Sequence, residues 1–485
     1  MNSLLILGLL VVCMGIVLLV QDGPTAVIIG LLFAVPAAIV VTRQRPHGNF
    51  LLRLFCAAFL IRIIVGTLIY VANLQAFFGG DAVTYDQFGW LTLHLWQGID
   101  THLKDYVEKY YVGGGWGMLY LVAGVYAVIG RNPLAIQFIS AVAGAATAPA
   151  IFFCALRIFQ NIKVARLTAL ITAFYPSLIL WSSQGLKDGL IVFLLSIVML
   201  LTLKLGEQFT LKSVVLLGFT LLGLLSLRFY IFYMVVAAIG GSLVIGMRTL
   251  TANSMIRQLA TAIIIGLFLT YFGVLRTATQ QFEAFGNLDK VQTGRLDQVQ
   301  TASSSFGKDV DVSTTSGALS AIPMGMTYLL FAPFPWQLAN LRQSLTLPEM
   351  LMWWASVPFL VLGLWFTLKF RLRQALPILM FSMMLTLSYS IFQGNVGTAY
   401  RQRSQLLVFY FIFASVGFTL MQEVREEKKR RVRAKEAEQL AKVTALRQSR
   451  AVPGRWREEP HSAPLHEPLK IEEGEKSEDK QPEAQ

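Results

Sequence analysis

Apolar runs of roughly 17–25 residues recur along most of this chain. Runs of that length are long enough to cross a ~30 Å hydrocarbon core as helices. In lipid a segment must satisfy its own backbone hydrogen bonds, so such runs are restricted to helix. The composition points the same way: 55% of the residues are hydrophobic and only 14% are charged, against about 25% charged in a soluble domain. Mean hydropathy is +0.58. The expected fold class is therefore an all-α polytopic membrane protein. The first run, Met1 to Val20, has no Lys or Arg before it and no small-x-small cleavage pattern after it; Gln21-Asp22-Gly23 reads as a turn into a second span. It is expected to stay as a transmembrane helix.

Hydropathy predicts about twelve spans, at 3–20, 24–41, 50–74, 132–156, 167–183, 188–204, 211–227, 229–247, 258–275, 350–368, 374–391 and 405–421. The basic clusters orient them. Arg43, Arg45 and Arg53 form one group, Arg157, Lys163 and Arg166 the next. Lys204 with Lys212, Arg248 with Arg257, then Lys369, Arg371 and Arg373, and the tail from Arg425 complete the set. All fall on the cytoplasmic side if 115–129 and 319–336 do not cross. The first of these is short, and Pro323, Pro333 and Pro335 interrupt the second. Both are expected to be re-entrant or interfacial segments on the outer face. The net charge of +13 is then a membrane-topology signal, not a nucleic-acid one. Cys13, Cys56 and Cys154 lie inside apolar spans, which predicts neither a disulfide framework nor a metal site.

This topology predicts three units: an N-terminal two-helix hairpin over 1–49, a transmembrane domain over 50–421 that would hold any active site, and a cytoplasmic charged tail over 422–485. Both termini are cytoplasmic. The outer face receives 75–131, 276–349 and 392–404, which hold most of the unusual polar residues. Tyr85, Phe88, Trp90 and Trp96 pattern 82–98 as an amphipathic helix lying in the interface. Residues 277–318 are polar and read either as an ordered lid or as a mobile loop. The tail reads as a basic helix to about Arg450 followed by disorder; its basic stretch would also attract anionic lipid headgroups.

Four constellations carry candidate chemistry. Asp81 and Asp86 follow Gly79-Gly80 at the end of an apolar span. A carboxylate there can take a proton from an acceptor hydroxyl or hold a divalent cation, and it can also simply cap a helix. Tyr85, four residues on, would share its face. Lys187-Asp188 closes the Trp181–Leu186 turn, where Lys187 runs against the positive-inside trend and suits a phosphate. Arg228 separates two apolar runs, as a snorkelling turn residue or as a clamp on a lipid-linked phosphate. Arg401 and Arg403 follow Gly394-Asn395-Val396-Gly397-Thr398-Ala399-Tyr400 on the outer side; arginine stays charged and binds phosphate bidentately. His94, His102 and Glu108 lack the close spacing of a zinc site. No phosphate-binding or dinucleotide loop occurs. Arg62 alone lies deep within a span, with no acidic residue near it in sequence.

Residues 79–189 resemble the GT-C membrane glycosyltransferases of the protein-mannosyltransferase and aminoarabinose-transferase type. The likeness rests on Gly79-Gly80-Asp81-Ala82-Val83-Thr84-Tyr85-Asp86, Gly114-Gly115-Trp116-Gly117-Met118-Leu119-Tyr120, Ile129-Gly130-Arg131-Asn132-Pro133-Leu134, Ala173-Phe174-Tyr175-Pro176-Ser177 and Trp181 to Asp188. It implies a GT-C-like fold and inverting sugar transfer from a polyprenyl-phosphate donor on the non-cytoplasmic face. Asp81 matches the family's catalytic carboxylate and Asp188 its second acidic position. The chain departs from the family in having two spans ahead of the one that delivers Asp81, where the family usually puts this loop after its first span, and in lacking a double proline ahead of Gly115. By charge and topology, the donor phosphate falls to Lys187, Arg228, Arg401 and Arg403, with Tyr85 and Asp86 beside it. The acceptor would be an envelope glycan, lipid or protein. The rival readings are a polymerase or ligase using polyprenyl-pyrophosphate glycans, and a non-catalytic flippase or scaffold.

Overall fold

The computed structural model describes residues 2–99, 101–247, 252–272, 274, 287–301, 304–338 and 340–450. Apart from one isolated bridge between Ser305 and Asn395, its regular structure is helical. The helices are α1 Asn2–Leu19, α2 Gly23–Thr42, α3 Gly48–Val71, α4 Gln75–Gly79, α5 Asp81–Trp96, α6 Lys104–Gly114, α7 Trp116–Ile129 and α8 Pro133–Phe159. They continue with α9 Ile162–Phe174, α10 Pro176–Ser182, α11 Lys187–Glu207, α12 Leu211–Leu227, α13 Phe229–Met247 and α14 Ala252–Tyr271. The last five are α15 Leu288–Thr301, α16 Thr315–Phe331, α17 Leu341–Phe370, α18 Leu372–Phe392 and α19 Val396–Arg450.

Among the described residues, seven helices are long and apolar enough to cross a membrane; an eighth span arises if α9 and α10, bent by 54° at Tyr175-Pro176, are taken together. The bend has a local cause, because Pro176 has no amide to donate and biases Tyr175 to extended backbone (φ −68°, ψ 127°). Shorter apolar helical stretches of 10–17 residues lie in α1, α7, α12, α13 and α14, at Ser3–Leu19, Trp116–Ile129, Leu211–Leu227, Phe229–Ser242 and Ala262–Tyr271. Every predicted span thus carries helix, and seven or eight of them reach full spanning length. α7 is a helix of 14 residues, and α16 is helical through Pro323.

α8 organises the core. Asn132 caps it by accepting the Ala135 amide at 2.9 Å and ties it to the N-terminal hairpin by donating to the Asp22 carbonyl at 2.9 Å. Its small residues (Ser140, Ala141, Ala143, Gly144, Ala145, Thr147, Ala148) let α2, α3, α9 and α11 pack close around it. α17 and α19 cross where Gly363 meets Gly417: a Cβ on either would overlap the carbonyl oxygen of Phe413 or of Phe359.

The chain divides into two units, Met1–Glu423 and Val424–Gln485. Within the second, the described residues are helical and exposed, with Arg431–Glu427 and Lys442–Glu438 pairs one turn apart. The acidic last stretch expected to be disordered lies outside the described residues. So do 277–286, 302 and 303 of the predicted polar loop. Its described remainder is ordered: Arg295 donates to the Ile391 and Gln393 carbonyls at 2.8 and 2.9 Å, and Phe306 to the Gly394 carbonyl at 2.9 Å.

Candidate functional site

Three helix ends and one helix break bring charged side chains to one place. Asp81 opens α5 directly after Gly79-Gly80, and Lys187 and Asp188 open α11. Arg228 holds extended backbone (φ −154°, ψ 96°) between α12 and α13, and Arg401 sits in the first turns of α19.

Asp188 is completely buried. An ion in that position needs partners on both oxygens, and it has them. Arg401 Nε donates to Oδ2 at 2.7 Å and Arg228 Nη2 to Oδ1 at 3.2 Å, with Gln405 Nε2 at 3.5 Å from Oδ1. Arg401 then reaches outward, and its Nη1 donates to Asp81 Oδ2 at 2.6 Å. Its Nη2 lies 2.5 Å from Asp188 Oδ2 without hydrogen-bonding geometry. Arg401 therefore bridges two carboxylates of different exposure: Asp188 at 0% and Asp81 at 52% by side chain. Tyr389 stands behind Arg228 and donates to Gln405 Oε1 at 2.6 Å. Lys187 Nζ rests 5.5 Å from the Tyr85 ring centre, and the Arg401 guanidinium 5.9 Å from that of Trp181. Burial first, then Asp81 and Asp188, push the Tyr85 phenol above its ordinary range, so it stays protonated.

This cluster forms one wall of a cavity of about 1040 Å³. Asp81, Trp181, Arg228, Arg342, Glu349 and Arg401 are among the residues that line it. Three arginines against two carboxylates leave the lining net positive, which favours an anionic occupant. Glu349 is buried, with Oε2 accepting the Tyr400 hydroxyl at 2.7 Å.

Six of the eight residues singled out in the sequence meet here: Asp81, Asp188, Tyr85, Lys187, Arg228 and Arg401. Asp86 and Arg403 do not join them. Asp86 accepts the Tyr126 hydroxyl at 2.6 Å and a fork from Arg131, at 3.1 Å from Nε and 2.5 Å from Nη2. This pair holds α5 against α7, and hydrogen bonding to Asp86 keeps Arg131 more firmly protonated than usual. Arg403 follows Arg401 by two positions, so it points to another side of the helix. It is 1% exposed and donates to the Leu330 and Ala332 carbonyls at 2.8 and 3.1 Å. Arg62 resembles it, donating to Ser182 Oγ, Ala58 O and Ala173 O at 2.8–2.9 Å.

Glu349, Tyr400, Trp181, Arg342, Tyr389 and Gln405 were not singled out in the sequence. Glu349 had a signal, a lone carboxylate at the start of an apolar run; the others join the site only through tertiary contact. Among the described residues no three His, Cys, Asp or Glu side chains converge as a metal site. His94 packs on Trp90 with ring centres 4.5 Å apart, and Glu108 pairs with Lys104 at 3.7 Å.

No protein-family model matches this sequence, and no curated protein matches it.

Proposed function

We propose that this chain is a GT-C-like membrane glycosyltransferase of about twelve spans. It moves a sugar from a polyprenyl-phosphate donor to an envelope glycan, lipid or protein acceptor on the extracytoplasmic face, with both termini cytoplasmic. The observation that carries the reading is the Arg401 bridge between buried Asp188 and half-exposed Asp81 at the wall of a net-positive cavity.

The different surroundings of the two carboxylates support distinct work for each. Asp188 has both oxygens occupied, so it orients Arg401 and Arg228 and takes no proton. Asp81 is the accessible one. A donor phosphate entering the cavity competes with Asp81 for the outward nitrogen of Arg401. Arginine binds phosphate in a fork, and the exchange releases the Asp81 carboxylate beside the bound donor. Asp81 then accepts the proton of the acceptor hydroxyl. The acceptor oxygen bonds to the anomeric carbon as the bond from that carbon to the phosphate oxygen breaks. The polyprenyl phosphate leaves with the electron pair, its charge met by Arg401 and Arg228.

Arg342, a third arginine in the cavity lining, supports a second reading in which the donor is a polyprenyl-pyrophosphate glycan and the protein a polymerase or ligase. One experiment separates the two. Purified protein in proteoliposomes is offered polyprenyl-phosphate sugars and polyprenyl-pyrophosphate glycans, with Asp81→Asn as the control. Transfer from monophosphate donors by the parent and none by the variant is expected. Transfer from pyrophosphates alone would move the assignment to a polymerase or ligase. Equal transfer by the variant would remove Asp81 from the chemistry. Silence of the parent on every donor would leave a flippase or scaffold.

A further inference from the structure

A second cavity, of about 480 Å³, lies at the other end of the bundle. α11 connects the two: it begins with Asp188 at the candidate site and ends with Glu207 at this cavity. Twenty-one helical residues span about 30 Å, the thickness of a hydrocarbon core. The two cavities therefore belong to opposite membrane faces.

The charged lining residues come from helix ends: Arg157 from the last turn of α8, Glu207 from the end of α11, and Arg373, beside Gln374, from the first turn of α18. The remaining lining is mostly apolar and includes mid-helix residues of α13 and α14, between Val236 and Gly240 and between Ala262 and Leu269. The cavity thus has a charged mouth and an apolar depth. Ala262 to Leu269 measures about 10 Å along the helix axis, two turns. Gly206, Gly240 and Gly266 all line it, and a Cβ on any of them would meet nothing within 4 Å. Glycine is not needed there for close helix packing, and its effect is to keep the space open.

The mouth carries two arginines and one carboxylate. Arg157 pairs with Glu207, which neutralises that charge, while Arg157 Nε is buried with no hydrogen-bond partner. Arg373 is exposed and forms no ion pair among the described residues. The mouth is net positive and retains donors. Basic pockets between transmembrane helices bind anionic lipid headgroups.

We propose that this cavity is a binding site for one anionic phospholipid. Its phosphate sits at Arg373 and Arg157, and one acyl chain lies between α13 and α14 past Gly240 and Gly266. The site is independent of the sugar-transfer reading and of the residues assigned to it.

Binding is measured on the full-length protein in detergent micelles by native mass spectrometry, titrating dioleoyl phosphatidylglycerol against dioleoyl phosphatidylcholine. One phosphatidylglycerol is expected to bind with clear preference over phosphatidylcholine. Arg373→Gln is expected to weaken phosphatidylglycerol about fivefold, the effect of one basic charge at a lipid surface, and to leave phosphatidylcholine unchanged. Gly240→Leu fills the depth and is expected to abolish the bound lipid while the melting temperature in plain detergent stays that of the parent. Gly266→Leu serves if Gly240→Leu does not fold. Equal binding of both lipids, or undiminished phosphatidylglycerol binding by the glycine variants, overturns the proposal. A lipid-free dimer that either glycine substitution dissociates also overturns it, by placing a second copy of the chain in the cavity.

Discussion

Asp81 and Asp188 are the same side chain in two environments, and the environment sets what each can do. Asp188 has no contact with solvent and is held by two guanidinium groups. Asp81 is half exposed and shares one nitrogen of Arg401. Asp188→Asn would leave Arg228 and Arg401 buried with an uncompensated charge, which is expected to cost about 3–5 kcal/mol of stability. Asp81→Asn removes a solvent-screened pair and is expected to cost under about 1 kcal/mol. Unfolding of both variants in detergent micelles checks the contrast; an Asp188→Asn protein as stable as the parent would contradict the role given to that residue. Arg401 and Arg403 are two residues apart and carry the same charge, yet Arg401 faces a cavity and Arg403 ties down carbonyls of the α16 end. Their rotational phase on α19 was readable from helix geometry. Which phase faced the cavity was not.

Helices form wherever the sequence is apolar enough, and their interruptions follow local chemistry. Pro176 bends α9 against α10, and Asn132 and Asn161 cap α8 and α9 by accepting amides of the first turn. The number of full-length spans was less legible. Leu211–Leu227 reads as a span, yet its 17 residues make a helix of about 26 Å; Trp116–Ile129, read in the sequence as too short to cross, makes one of about 21 Å. Helix-to-helix distance is set by small residues, as where Gly363 and Gly417 meet. Gly417→Val is expected to force α17 and α19 apart at a cost of about 1–3 kcal/mol, as overpacking does. A lowered melting temperature with unchanged helical circular dichroism would be the signature, and a melting temperature equal to the parent's would refute the tight crossing.

For the molecule as a whole, the boundary at Glu423 separates a bundle with an extensive apolar core from a charged segment that buries almost nothing among its described residues. A chain ending at Glu423 is therefore expected to melt within error of the full-length protein and to keep its helical bundle, as scanning fluorimetry in detergent would test. A large fall in melting temperature would show that the tail contributes to the fold.

The sequence by itself determined the helical class, helix starts and breaks such as those at Asn132 and Pro176 though not at Pro323, and the unusual charges near helix ends. Those are properties of local segments: hydropathy, capping and proline act within a few residues. Tertiary structure decided which charges meet. Asp81, Asp188, Arg228 and Arg401 are separated by up to 320 positions along the chain. A charge on an apolar helix reads alike in sequence whether it lines a cavity or anchors a carbonyl. Only the packing of neighbouring helices, which sets the depth and partners of each ion, separates the two.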